Sequence, residues 1–283
     1  MFIIRKLLSH IILLRPINVL TSGISVVIAS KIIQPDNNIS LVSTLAVIVM
    51  LFTSGANALN DFIDYKIDLI NRPSRPIPIG DVKKSVAFYM ALFFFIIGCL
   101  LCMKLNEDAK AIGIFIAMPI MVLYTTYLKK LPLIGNLAVA FIIGLSFIFC
   151  GAAFNSFSPM IIPMILCFLL SFLRELIKDI ADIEGDKVLG LKTFPVYYGM
   201  EKSKNFVLTT CFISGLVFIV PYIIGIYNEW YLFFLIVGVE IPLGFIVFLM
   251  VKNPGITSAK KASKLLKFST FIGLIAIYTG SNL

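Results

Sequence analysis

The sequence predicts an all-α, polytopic membrane protein with nine transmembrane helices. Three observations carry that expectation. Of 283 residues, 59% are hydrophobic and only 14% charged, with a mean hydropathy of +1.00. A soluble domain of this size could not cover so much apolar surface with polar groups. Apolar runs near twenty residues recur, the length a helix needs to cross the hydrocarbon core. The basic residues, finally, sort onto alternate connections. With no water inside lipid, such runs satisfy their backbone groups as helices and not as open strands.

The runs fall at roughly 15–34, 40–60, 85–104, 110–128, 134–154, 159–177, 206–227, 230–251 and 265–282. Before the first, Phe2, Ile3, Ile4, Leu7, Leu8, Ile11 and Ile12 interleave with Arg5, Lys6 and His10. That pattern predicts an amphipathic helix at the inner membrane surface over residues 2–14, in place of a cleavable signal peptide. With nine spans, the N-terminus and the even-numbered loops share one side, and that side holds 21 of the 24 Lys and Arg residues. Only Lys31, Lys104 and Lys110 lie opposite. The positive-inside rule puts the N-terminus and the long connections in the cytoplasm of a multi-pass cell-membrane protein. The net charge of +9 is therefore membrane flank. It lacks the interleaved aromatics of a nucleic-acid surface.

The outer connections are short: Gln34–Ser40, Leu105–Ala109, Asn155–Ser158 and a few residues near Asn228. Two inner connections are long and polar, 61–84 and 174–205. They follow spans two and six, an offset that predicts two related halves inside a single membrane domain spanning 1–283. Cys99, Cys102, Cys150, Cys167 and Cys211 all fall within spans. Cys99 and Cys102 form a C-x-x-C with no histidine or further cysteine beside it, so all five read as small apolar helix residues.

The chemistry concentrates in those two long connections. Asn57, Asn60, Asp61, Asp64 and Asp68 form one acidic cluster, and Glu175, Asp179, Asp182 and Asp186 the other. Together they take six of the nine aspartates in the chain. Carboxylates are costly near lipid and mark function when retained there. Asn57, Asp61, Asp64 and Asp68 are spaced by 4, 3 and 4, as are Glu175, Asp179, Asp182 and Asp186. At about 100° per residue each set makes one stripe on a helix face; the first is expected to run down the last turns of span two, and Gly185 to loosen the second helix before Asp186. Stacked carboxylates repel, and a divalent cation removes the conflict. Mg²⁺ commonly takes one or two protein carboxylates and fills its shell with water and substrate phosphate. Two such ions bridging a diphosphate make it a good leaving group. Asp61, Asp64, Asp68, Asp179, Asp182 and Asp186 are thus the expected catalytic and metal-binding residues. The plainer alternative is a pair of solvated helix ends paired with Lys66, Lys178 and Lys187.

Cations follow each cluster. Arg72 and Arg75 sit in a proline-stiffened run, Asn71-Arg72-Pro73-Ser74-Arg75-Pro76-Ile77-Pro78-Ile79-Gly80, and Lys192 in Gly190-Leu191-Lys192-Thr193. Arginine forks suit phosphate oxygens and lysine serves as a point charge. Tyr124, Tyr127, Lys129 and Lys130 close span four. Expected diphosphate or substrate contacts are Asn18, Asn57, Asn60, Arg72, Arg75, Tyr124, Tyr127, Lys129, Lys178 and Lys192. Glu240, midway along span eight beside Pro242, is either structural or substrate-orienting.

Asn60-Asp61-x-x-Asp64-x-x-x-Asp68, Asp179-x-x-Asp182-x-x-x-Asp186, the Arg72–Pro78 run and the Arg15-Pro16-Ile17-Asn18 start together resemble the UbiA superfamily of intramembrane prenyltransferases, over essentially the whole chain. The resemblance implies helices bundled around a central cavity, Mg²⁺ held by both motifs, and an isoprenyl diphosphate donor whose tail lies in a lipid-accessible tunnel. Arg174-Glu175-Leu-Ile-Lys178-Asp179-Ile-Ala-Asp182-Ile-Glu184-Gly185-Asp186, followed by Gly-Leu-Lys192-Thr193-Phe-Pro, looks most like the archaeal ether-lipid branch. That branch implies transfer of a geranylgeranyl group to the hydroxyl of a lipid phosphate, geranylgeranylglyceryl phosphate. The quinone, haem and chlorophyll branches share much of the pattern, so an aromatic acceptor such as 4-hydroxybenzoate stays open. No obligate protein partner and no nucleic acid are implied. A carrier would place its acids near the membrane midplane at broken helices, and a scaffold would leave both stripes unexplained.

Overall fold

The computed structural model describes residues 2–33 and 38–281, with side chains from Lys6 onward. Among the described residues the structure is helical throughout, without strands. Nine helices among the described residues are long and apolar enough to cross a membrane: Pro16–Ile33, Ile39–Ile63, Lys84–Cys102, Glu107–Thr126, Ile134–Ala153, Ser158–Val188, Met200–Ile223, Glu229–Lys252 and Ile256–Gly280. The nine-span reading stands, and the fold is all-α. Of the expected outer loop at Gln34–Ser40, residues 34–37 lie outside the described residues.

In chain order the helices are α1 (Phe2–Leu13), α2 (Pro16–Ile33), α3 (Ile39–Ile63), α4 (Tyr65–Asn71), α5 (Lys84–Cys102), α6 (Glu107–Lys110), α7 (Met118–Thr126), α8 (Ile134–Ala153), α9 (Ile161–Val188), α10 (Phe194–Tyr198), α11 (Met200–Ile223), α12 (Glu229–Leu235), α13 (Ile241–Lys252) and α14 (Ile256–Gly280). Spans four and eight each contain a π-helical stretch, Ala111–Ala117 and Ile236–Glu240. Glu240 closes the second of these, directly before α13 and Pro242. The amphipathic expectation for residues 2–14 corresponds to α1, on which Leu7, Leu8, Ile11 and Ile12 are exposed.

The chain divides into two compact units, Met1–Leu128 with Phe149–Phe157, and Lys129–Ile148 with Ser158–Leu283. Each carries one acidic motif. In the first, α3 packs against α2, α5 and α7. Small residues let these helices approach closely, as they do in lipid generally, where van der Waals contact drives association. Gly98 faces the Phe52 ring, and Gly55 faces Phe95 and the Ala91 carbonyl. In the second unit, α9 packs against α11 and α14, and α12 against α14. Fully buried Tyr231 donates its hydroxyl to the Phe218 carbonyl at 2.6 Å. Gly238 abuts Ile272 and Gly280 abuts Tyr231.

Two helix ends differ from the sequence expectation. The first acidic stripe does not stay on one continuous helix. α3 stops at Ile63, and Asp64 takes φ −80° and ψ 6° before α4 begins. The break ends α3, so Asp68 lies on a separate short helix. The second helix is longer than expected and runs through Gly185 to Val188. Gly185 and Asp186 are buried, so packing holds the glycine helical, and the left-handed turn falls instead at Gly190, φ 67°.

A methyl group added at Gly238 would sit 1.9 Å from Ile272 Cγ2. Gly238→Ala should therefore destabilise the protein by about 1–3 kcal/mol, the usual cost of overpacking. Thermal unfolding in detergent checks this, and Gly238→Ala/Ile272→Ala should recover part of the loss.

Candidate active site

The first motif is built on one cation shared by two acids. Asp61, at the last turn of α3, and Asp68, on α4, are both buried. Both accept from the same nitrogen: Arg75 Nη1 donates to Asp61 Oδ1 at 2.9 Å and to Asp68 Oδ2 at 2.5 Å. The loop carrying Arg75 returns to α3 because its backbone is locally closed. The Arg75 N–H donates to the Arg72 carbonyl at 3.1 Å, and the Val82 N–H to the Pro76 carbonyl at 3.1 Å. Ile77 and Val82 anchor the loop in the core.

A second guanidinium arrives from the corner between α1 and α2. Arg15 Nη2 donates to Asp61 Oδ1 at 2.5 Å. Arg15 holds φ 56°, a left-handed backbone uncommon for a residue with a side chain. Such strain persists only where surrounding contacts fix it, and they are present. Asn57 Nδ2 donates to the neighbouring Leu14 carbonyl at 2.9 Å. Asn60 is oriented from α7, where Thr125 Oγ1 donates to its Oδ1 at 2.7 Å. Ser9 Oγ on α1 donates to Asp81 Oδ2 at 2.9 Å, tying the amphipathic helix to the arginine loop.

Opposing forces act on the Asp68 carboxyl. Burial pushes its pKa up, and Arg75 pulls it down, with burial the stronger effect. Burial also lowers the Arg75 pKa, helped by the like charge of Arg15.

In the second motif two aspartates each accept from a neutral donor. Asn136, buried near the start of α8, donates from Nδ2 to Asp179 Oδ2 at 2.9 Å. Thr193, just before α10, donates from Oγ1 to buried Asp186 Oδ2 at 3.0 Å. Glu175 accepts from Lys178 Nζ at 2.8 and 2.6 Å and from Arg174 Nη1 at 3.3 Å. Lys178 is thus engaged with the acid one turn back.

Of the expected residues, the structure brings Asp61, Asp68 and Arg75 into direct contact, and joins Asn57 and Asn60 to their surroundings. Asp64 sits half-buried at the α3–α4 junction, Arg72 caps α4, and Asn18 lies half-buried in the first turn of α2. Tyr124 and Lys129 are half-buried, while Tyr127 and Lys192 are exposed. Asp182 is half-buried on α9. Sequence reading did not assign Thr125, Asn136 or Thr193 to the site. Each is a buried polar residue in an apolar neighbourhood, the one signal that could have singled them out.

The oxygen-only donor set suits a hard cation such as Mg²⁺. Among the described residues no three His, Cys, Asp or Glu side chains gather into a complete cage, but Mg²⁺ needs only one or two protein carboxylates beside substrate phosphate. Asp61 and Asp68 already converge on a single point of positive charge, the Arg75 nitrogen, which is what a cation-binding pair must do.

Apolar spans that carry acidic motifs at their helix ends define an intramembrane enzyme class that handles charged groups on lipid-soluble molecules. The sequence profile of the UbiA prenyltransferase family matches residues 19–272, and the chain belongs to that family. A relative from Methanococcoides burtonii, named digeranylgeranylglyceryl phosphate synthase, is 38% identical over 265 residues, covering 91% of this chain and 92% of the relative. A solved structure described as "Structural and mechanistic insights into the biosynthesis of Digeranylgeranylglyceryl phosphate synthase in membranes" aligns with TM-score 0.75 at 31% identity, covering 98% of both chains. The structure of a UbiA homolog from Archaeoglobus fulgidus bound to GPP and Mg²⁺ aligns with TM-score 0.71 at 15% identity, covering 95% of this chain and 99% of that one, a likeness of fold.

Removing Arg75 would take the bridging guanidinium from buried Asp68 and leave Asp61 with Arg15. Arg75→Gln should cost roughly 3 kcal/mol in metal-free buffer, the scale for breaking a buried ion pair. Thermal unfolding with EDTA and with Mg²⁺ checks this. The variant should gain more from Mg²⁺ than the parent does.

Proposed function

We propose that this chain transfers a geranylgeranyl group from geranylgeranyl diphosphate to the hydroxyl of geranylgeranylglyceryl phosphate, releasing diphosphate, in archaeal ether-lipid synthesis. The observation that carries the proposal is 38% identity to a digeranylgeranylglyceryl phosphate synthase over nearly the full length of both chains. The two aspartate motifs supply the chemistry that such a transfer needs.

In this reading Asp61, Asp64, Asp68, Asp179, Asp182 and Asp186 hold Mg²⁺. The ion's contribution is charge neutralisation, which makes the diphosphate a better leaving group. Arg72, Arg75, Lys129 and Lys192 add positive charge around the diphosphate, with Asn18, Asn57, Asn60, Tyr124, Tyr127 and Lys178 as further polar contacts. Asn136 and Thr193 fix the orientation of Asp179 and Asp186. The allylic C–O bond breaks, the acceptor hydroxyl attacks the carbon, and the departing diphosphate takes the proton.

The N-terminus and both motif connections face the cytoplasm in this reading, supported by the 21 of 24 basic residues on that side. The chain acts as one prenyltransferase domain, supported by a family profile that matches residues 19–272.

The test is an assay of purified protein with Mg²⁺ and labelled geranylgeranyl diphosphate, offered geranylgeranylglyceryl phosphate and 4-hydroxybenzoate in parallel. A prenylated lipid phosphate is expected. A prenylated ring would move the function to quinone synthesis. Asp64→Ala and Asp182→Ala should each lower turnover by about 10²-fold or more, the scale for losing one preorganised electrostatic group. Both variants should stay folded, and EDTA should abolish activity reversibly; near-normal turnover in Asp64→Ala would sink the metal assignment.

A further inference from the structure

One end of α14 carries a concentration of charge that the proposed chemistry does not use. Lys260, Lys261, Lys264 and Lys267 fall within eight residues, and no Asp or Glu occurs anywhere from Ile241 to the end of the chain. Lys260, Lys261 and Lys264 are exposed. No carboxylate among the described residues forms an ion pair with any of these three.

What lies below two of these lysines identifies the partner. Positions 261, 264, 268 and 275 share one helix face by their 3-, 4- and 7-residue spacing. Lys261 and Lys264 head that face, and Phe268 and Ile275 continue it, 57% and 39% exposed. The opposite face, through Ala259, Ala262, Leu266 and Ser269, is buried. From Lys264 to Ile275 the helix rises about 16 Å at 1.5 Å per residue. That is close to half of a hydrocarbon core about 30 Å thick. A cationic head above an exposed apolar strip one leaflet deep matches the shape and charge of one phospholipid.

We propose that the Lys260–Lys261–Lys264 end of α14 is a binding site for the phosphate headgroup of an anionic membrane lipid, whose chain lies along Phe268 and Ile275. Lysines clustered next to a membrane span attract anionic headgroups, and the attraction falls off within a Debye length. The site is independent of the prenyl-transfer reading, since none of its residues is placed in that chemistry.

The test is native mass spectrometry of the protein released from nanodiscs of equal phosphatidylglycerol and phosphatidylcholine. The parent should retain phosphatidylglycerol over phosphatidylcholine by about tenfold, in line with the effect of a few surface lysines. Lys260→Gln/Lys261→Gln/Lys264→Gln should lose that preference, while replacement of all three by Arg should keep it. Prenyl transfer by the Gln variant in neutral detergent should be unchanged. Equal retention of both lipids by the parent, or an undiminished preference in the Gln variant, overturns the proposal. If the Gln variant does not fold, the parent decides alone: exchange of phosphatidylglycerol should be hastened by 0.5 M NaCl, and an exchange rate indifferent to salt overturns the proposal equally.

Discussion

A carboxylate at the end of an apolar helix must be met by positive charge or by donors, because burial otherwise drives it neutral or drives the helix apart. Much of the architecture around the first motif follows from that constraint. Asp61 and Asp68 are both buried, and one nitrogen of Arg75 serves both. α3 ends at Ile63, Asp68 follows on α4, and the proline-stiffened loop brings Arg75 back to both acids. The break at Asp64 is therefore part of the charge arrangement, and the closed turns of the loop are its support.

The same constraint explains a strained backbone. Arg15 sits in a left-handed conformation and still reaches Asp61, while Asn57 secures the adjoining carbonyl of Leu14. The cost of the unusual dihedral is local. Its return is that the α1–α2 corner, the amphipathic helix and the arginine loop are all tied to the acidic end of α3.

The second unit answers the constraint differently. Asp179 and Asp186 are met by the neutral amide of Asn136 and the hydroxyl of Thr193, and the cations Arg174 and Lys178 are drawn to Glu175. Neutral donors orient a carboxylate without cancelling its charge. The two motifs share a 4, 3, 4 spacing but differ in partners, arginine for Asp61 and Asp68 in the first, an amide and a hydroxyl for Asp179 and Asp186 in the second.

The sequence by itself determined the class of the fold, because the length and apolarity of a membrane span are properties of consecutive residues. Nine runs correspond to nine long apolar helices among the described residues, and the aspartates with their spacing singled out the candidate site, since carboxylates beside lipid are costly. Local pattern also misled at two helix ends. It ran the first stripe down a single helix and loosened the second at Gly185, where burial keeps the helix intact to Val188. Only the tertiary structure decided which donor meets which acid. Thr125 and Asn60 are 65 residues apart, Arg15 and Asp61 are 46 apart, and Asn136 and Asp179 are 43 apart. Such pairings depend on how helices pack, and no periodicity within one helix encodes the side chain that a neighbouring helix will present.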